Sequence, residues 1–171
     1  MTIEFDQAKQ KILDDPGFSP LGPQWGDAEF AELKAATGCT PPAQLEKILR
    51  EIGSFALGWD NAVLGVFDQG QVVKTEVQIA MAQLKTMVSD FRSLRMSTEF
   101  PDRFPLDMIF FGSAEAGHAK FVMHSAEMDD GAVYLWPITG ESWGTPGNPG
   151  LAKVTDTLFE FYYHMTEYDN I

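Results

Sequence analysis

A chain of 171 residues with 44% hydrophobic, 12% aromatic and 22% charged side chains is long enough to bury a sizeable core and too apolar for the disordered class, so one folded domain over 1–171 is expected. Its 12 Lys and Arg stand against 25 Asp and Glu, and the resulting net charge of -13 disfavours nucleic acid and anionic membranes as partners. The lone Cys39 excludes an internal disulfide, and no window approaches the roughly 20 apolar residues that span a bilayer.

An N-terminal extension, residues 1–26, is expected to hold one short amphipathic helix over 5–13, ended by Asp15-Pro16-Gly17, and then an irregular stretch over 18–26 with Pro20 and Pro23. Asp27 can cap a helix over 27–36, with Phe30 and Leu33 on one face and Gly38 at its stop. Thr40 followed by Pro41 predicts the cap and first turn of a third helix, in which Leu45, Ile48, Leu49 and Ile52 share a face as far as Gly53. Strands over 63–67 and 71–75 flank the turn triplet Asp68-Gln69-Gly70 and predict a hairpin. Thr75 and Gln78 then have capping-box spacing, and Val77, Met81, Leu84, Val88, Phe91 and Leu94 recur every three or four residues. This predicts a long helix with Arg92 and Arg95 at the negative end of its dipole. Residues 98–105 read as a linker loop.

The apolar run Met108-Ile109-Phe110-Phe111 stops at Gly112, and strands over 109–111, 120–124 and 133–136 predict a three-strand meander. Its connections pass through 112–117 and through Asp129-Asp130-Gly131. Phe121 and Met123 alternate with Val122 and His124, the pattern of a strand with one buried face. Residues 140–150 hold four Gly and two Pro and read as a loop, after which a helix over about 155–166 turns Leu158, Phe161, Tyr162 and Met165 inward. The fold class is α+β: a single domain whose core spans about 27–166, with an antiparallel-rich sheet and helices packed against it.

Few residues suggest chemistry. His118, His124 and His164 lack metal-ligand spacing, and Glu115 with His118 in one loop is too little to define an acid and base. Ser113 lacks the second glycine of a nucleophile elbow, Cys39 has no histidine nearby in sequence, and Gly112 with Gly117 do not make a phosphate loop. No catalytic, cofactor-binding or metal residue is therefore assigned, and no cofactor is expected. A metal-free hydrolase using Ser113 or Cys39 with His118 is a distant alternative.

The methionines read mostly as core filler, although an exposed one can serve an adaptable interface. Trp25 and Trp59 are expected to close the core, while Trp143, beside Glu141 in the Gly/Pro loop, is either tucked over the sheet or offered to a partner. From Phe121 onward Glu127, Asp129, Asp130, Glu141, Asp156, Glu160, Glu167 and Asp169 face a single basic residue, Lys153. Such acidity is commonly a solubility device. As a binding surface it would draw a basic protein, and Glu127, Asp129, Asp130, Glu141 and Trp143 form the candidate partner-binding set. The beginning of the chain lacks the basic start and apolar core of a leader peptide, so a cytoplasmic location is expected.

The order of elements resembles the SUKH superfamily, whose members include fungal cell-wall synthesis regulators. The resemblance rests on Pro41-Pro42-Ala43-Gln44-Leu45 with Ile48-Leu49, Ile109-Phe110-Phe111-Gly112, Val133-Tyr134-Leu135-Trp136 and Leu158-Phe159-Glu160-Phe161. It departs from the family where Cys39-Thr40 precede Pro41, where Gly53-Ser54 follow without Asn, and in the loop after Gly117. Similar bacterial members are chiefly immunity proteins, so the resemblance implies a non-catalytic protein that neutralises a cognate toxin, often a nuclease. A regulatory or scaffold module of the same fold is the alternative.

Overall fold

The computed structural model describes residues 2–105, 107–114 and 117–171. Helix α1 spans Phe5–Leu13 as expected, and the irregular segment after it contributes a two-residue strand, β1 (Ser19–Pro20), paired with β2 (Phe55–Ala56). Helix α2 (Asp27–Thr37) begins on Gly26, not on Asp27: Glu29 Oε2 accepts the Gly26 N–H at 2.8 Å, and the Asp27 carboxylate pairs with Arg50 instead. Gly38 ends it at φ 73°, a left-handed conformation that glycine adopts without a Cβ clash. Helix α3 (Ala43–Glu51) starts two residues later than Thr40-Pro41 suggested, with Pro42 at the cap. Leu45, Ile48 and Leu49 are fully buried along it.

The hairpin is β3 (Asn61–Phe67) and β4 (Val72–Ile79), turning at Gly70 with φ 85°. Strand β4 runs through the region where a helix was predicted. Thr75 and Val77 alternate inward on it, and it finds partners on both flanks, β3 and β5 (Met108–Ala114). Helix α4 (Leu84–Asp90) begins only after Gln83 and passes into a π-helical turn over Phe91–Arg95. Arg92 and Arg95 stand in that last turn as expected, and Arg103, in the segment read as a linker, joins them: its guanidinium donates to the carbonyls of Leu94 and Ser93 at 2.8 and 2.7 Å.

The predicted meander forms as β5, β6 (Ala119–His124) and β7 (Val133–Pro137), all antiparallel. Gly112 does not stop β5. It marks a shift in pairing register, where the Cβ of any other residue would meet the Ile79 carbonyl oxygen at 2.7 Å. An unpredicted strand, β8 (Ala152–Thr155), pairs with β7 on one side and β3 on the other. Together with the β3–β4 pairing this closes six antiparallel strands into a barrel. A short β9 (Thr166–Glu167) adds to the start of β3, and helix α5 spans Leu158–Tyr163, capped by the Thr157 hydroxyl.

The ladder registers align Phe121, Leu135, Ala152 and Phe67 across β6, β7, β8 and β3, and all four belong to the larger apolar cluster. Phe161 of α5 joins them, stacking edge to face on Phe121 at 4.9 Å and Phe111 at 5.8 Å. The next row, Val122, Tyr134, Lys153 and Val66, points outward. The outer face of β5 to β7 is covered too. Phe104, Met108, Phe110, Val122 and Trp136 form a second cluster, so the expected single buried face of β6 is corrected to two.

Helix α4 is tied to the barrel by an ion pair between Lys120 and Asp90 at 2.8 Å, with both side chains largely buried. Replacing Lys120 with Met should destabilise the fold by about 2–3 kcal/mol, because it leaves a carboxylate facing apolar surroundings. Adding Asp90→Leu should restore most of that loss, measured as the coupling in a double-mutant cycle of urea unfolding.

Candidate functional site

Strand registers place the predicted partner-binding residues in two groups. Glu127, Asp129 and Asp130 stand in the connection before β7, while Glu141 and Trp143 stand in the connection after it, so the two sets leave the barrel at opposite ends.

The first group sits on a connection with fixed geometry. Ser125 N–H donates to the Asp107 carbonyl at 2.6 Å, Ala126 N–H donates to the Thr40 carbonyl at 2.8 Å, and one 3-10 turn carries Glu127 and Met128 outward. Asp129 accepts the Gly131 N–H at 2.8 Å. Asp130 accepts the Ala132 N–H at 3.0 Å and the Tyr134 hydroxyl at 2.6 Å. These carboxylates therefore shape the turn as well as charge it. Glu127 is held below the usual carboxylate range by its own backbone N–H and by the Ser125 hydroxyl. Tyr134 is pushed far above the usual phenol range, first by burial and then by its bond to Asp130, with the charges of Asp130, Asp68 and Asp156 adding to it. Between Glu127 and Asp129, Met128 is 63% exposed, an apolar and deformable side chain set in a carboxylate rim.

In the second group Trp143 resolves as partly tucked: its ring meets Phe104 edge to face at 5.6 Å and remains 36% exposed. The backbone around Glu141 is organised by Asn148, whose amide nitrogen donates to the Glu141 and Arg103 carbonyls while its oxygen accepts the Trp136 indole N–H. Nothing in the composition of a Gly/Pro loop marks Asn148 for that role.

Trp59 overturns the expectation that its ring closes the core: it is 82% exposed. Trp25 does close it, at 6%. The registers put the Trp59 turn, which enters β3, at the same barrel end as Glu127, Asp129 and Asp130.

The residues weighed for chemistry are dispersed. Cys39 is buried, and burial pushes its thiol above the ordinary value, with Arg95 pulling the other way. Thr40, next to it, bonds the segment after β6, whereas His118 lies just before β6, so the strand separates Cys39 from His118. Ser113 lies within β5 opposite Lys120, and Glu115 lies outside the described residues. His124 Nδ1 shares a 2.6 Å hydrogen bond with Asp107 Oδ2. Among the described residues no group of three or more His, Cys, Asp or Glu side chains is arranged to hold a metal ion, and no helix is long and apolar enough to cross a membrane. No protein-family model matches the chain, and no curated protein matches it in sequence.

Proposed function

We propose that this chain is a non-catalytic protein-binding domain of the SUKH type, an immunity protein that acts in the cytoplasm by occupying a basic toxin domain. The observation that carries the reading is the Glu127-Met128-Asp129-Asp130 connection, an exposed apolar side chain ringed by carboxylates on a hydrogen-bonded turn. Charge of one sign around an adaptable apolar centre suits a cationic protein surface. The net charge of -13 favours steered association with such a partner, and a nuclease that grips phosphates is of this kind. Glu141 and Trp143, at the opposite barrel end, form a separate acidic and aromatic patch outside this contact.

The test is co-expression with the toxin domain encoded beside its gene, where growth should be rescued and the two proteins should co-purify. Because an amide keeps one oxygen for the Gly131 N–H at Asp129 and for the Ala132 N–H at Asp130, and its NH2 can donate to the Tyr134 hydroxyl in place of accepting from it, the informative variant combines Asp129→Asn, Asp130→Asn and Glu127→Lys. Affinity should fall at least about tenfold at low salt, and its dependence on salt should flatten. Unchanged affinity and salt slope would remove this connection from the interface.

A further inference from the structure

The outward side of β5 to β7 is covered by the second apolar cluster, but on β3 and β4 the outward side is apolar and open to water. Leu64 is 42% exposed, Val66 44% and Val72 59%. The ladder joins these three into one patch. Val66 stands directly opposite Val72, Leu64 lies two residues before Val66 on the same face, and beyond Val66 the row continues through Lys153 to Tyr134. A contiguous exposed apolar patch with a polar rim marks an interaction site, which single exposed apolar residues do not.

A pocket of about 220 Å³ opens off this patch. The β3–β8 ladder ends at the pair Val66 and Lys153, and β9 joins β3 at Ala62 and Thr166. Between those two pairings Val63, Leu64, Val154, Phe161 and Ile171 line a hollow of the size of one apolar side chain. Leu64 belongs to both the patch and the pocket, so the two are continuous.

Negative charge surrounds the apolar centre. Asp68 follows β3 in the hairpin turn, Glu76 is exposed two positions past Lys74 on β4, and Asp130 is joined to the row by the Tyr134 hydroxyl at 2.6 Å. The Tyr134 phenol, raised first by burial, is raised further by the charges of Asp130, Asp68 and Asp156, which sets all three carboxylates around that end of the row. The cations of the face are engaged: Lys153 pairs with Asp156 at 2.5 Å, and the Lys74 ammonium lies over the Tyr168 ring at 3.8 Å. A second copy of the chain would bring the same acidic rim and a net charge of the same sign, -13, so the patch suits a cationic partner and repels itself.

We propose that the Leu64, Val66 and Val72 face docks a basic segment of a protein partner, one apolar anchor of which enters the pocket beside Leu64 while flanking lysines or arginines meet Asp68, Glu76 and Asp130. The proposal rests on the reading of the chain as a binder of a basic protein. It carries the contact from the Glu127 to Asp130 connection along the barrel wall, with Tyr134 as the junction. The pocket supplies the anchor site and the carboxylates supply steering and register.

The experiment titrates the whole methyl-labelled chain at low salt with a lysine-rich peptide bearing one central leucine, with the same peptide bearing serine there, and with a glutamate-rich counterpart. Affinity is read by calorimetry and location by methyl NMR. The leucine peptide should bind at least about tenfold more tightly than the serine peptide, the glutamate peptide should not bind, and the shifted methyls should centre on Leu64, Val66, Val72 and Val154. Leu64→Thr, Val66→Thr and Val72→Thr together keep β-branched residues on the strands, so the urea midpoint should hold while leucine-peptide binding weakens at least about tenfold. The pair Asp68→Asn with Glu76→Gln should weaken it severalfold and flatten its salt dependence. Undiminished binding by the threonine variant, equal binding of the leucine and serine peptides, no binding by the parent chain, methyl shifts confined to other surfaces, or a self-association in sedimentation that the threonine substitutions abolish would each overturn the proposal. Failure of the two readings separates cleanly. Toxin neutralisation at full affinity by the threonine variant removes this face alone, whereas peptide binding without neutralisation removes the immunity role alone.

Discussion

Replacing Phe161 with alanine is expected to lower stability by about 3–5 kcal/mol, read as a shift of the urea midpoint with little change in slope. The ring is fully buried where α5 meets the barrel, touching Phe121, Phe111 and Tyr162 at centroid separations of 4.9, 5.8 and 5.2 Å. Those neighbours belong to β5, β6 and α5 itself, so a cavity there loosens three elements at once. Phe161→Leu fills most of the space and should cost less than half as much, about 1.5 kcal/mol. If the alanine variant unfolded at the parent midpoint, α5 would not be part of the cooperative core.

The second large effect is expected at Asn148, which is 1% exposed and joins three chain segments through its side chain. Asn148→Ala strands the buried Trp136 indole N–H and the Arg103 carbonyl oxygen and removes the donor to the part-buried Glu141 carbonyl, a loss of about 3 kcal/mol. Asn148→Asp preserves the acceptor for Trp136 but replaces the two donated bonds with a buried charge facing carbonyl oxygens. Its deficit should be larger than that of alanine at neutral pH and should shrink as acid protonates the introduced carboxyl. Denaturant unfolding at two pH values distinguishes the variants, since the alanine deficit has no such dependence.

Much of the fold was legible because its signals were local and redundant. Helix α1, the hydrophobic face of α3, the hairpin at Gly70 and the three central strands each combine periodicity with a turn residue in the right place. The region from Thr75 to Gln83 was misread because its apolar residues continue two periods. Thr75 and Val77 belong to an alternating strand, while Leu84, Val88 and Phe91 belong to the helix, and joining them produced one false element with a coincidental capping box. What decided it is non-local: β4 has a partner on either side, which no window of its own sequence reports. Closure was hidden for the same reason, since β8 is four unremarkable residues behind a run of Gly and Pro. The second apolar cluster depends on Phe104 folding back from a loop onto Trp136 at 4.5 Å, again a contact between distant segments.

The candidate surface was legible as charge and illegible as shape. Acidic composition pointed to Glu127, Asp129, Asp130, Glu141 and Trp143, but only the ladder registers divide them between the two barrel ends. The exposure of Trp59 was missed because large apolar rings are usually buried, and the turn that carries it is fixed by bonds from Gly58 and Asn61 to Asp15, which is 44 positions earlier than Trp59 in the chain.

Because each of the six barrel strands is flanked by a neighbour on both sides, a visiting polypeptide has no continuous backbone template along which to extend the sheet. The backbone of the barrel is thus largely occupied with itself, and what the molecule offers to its surroundings is side chains, those of the connections and of the open face of β3 and β4. Exposed positions in the connections that make no bond to the framework, such as Met128, can be exchanged with little penalty to the barrel, whereas Asp130 and Asn148 hold the connections themselves in shape.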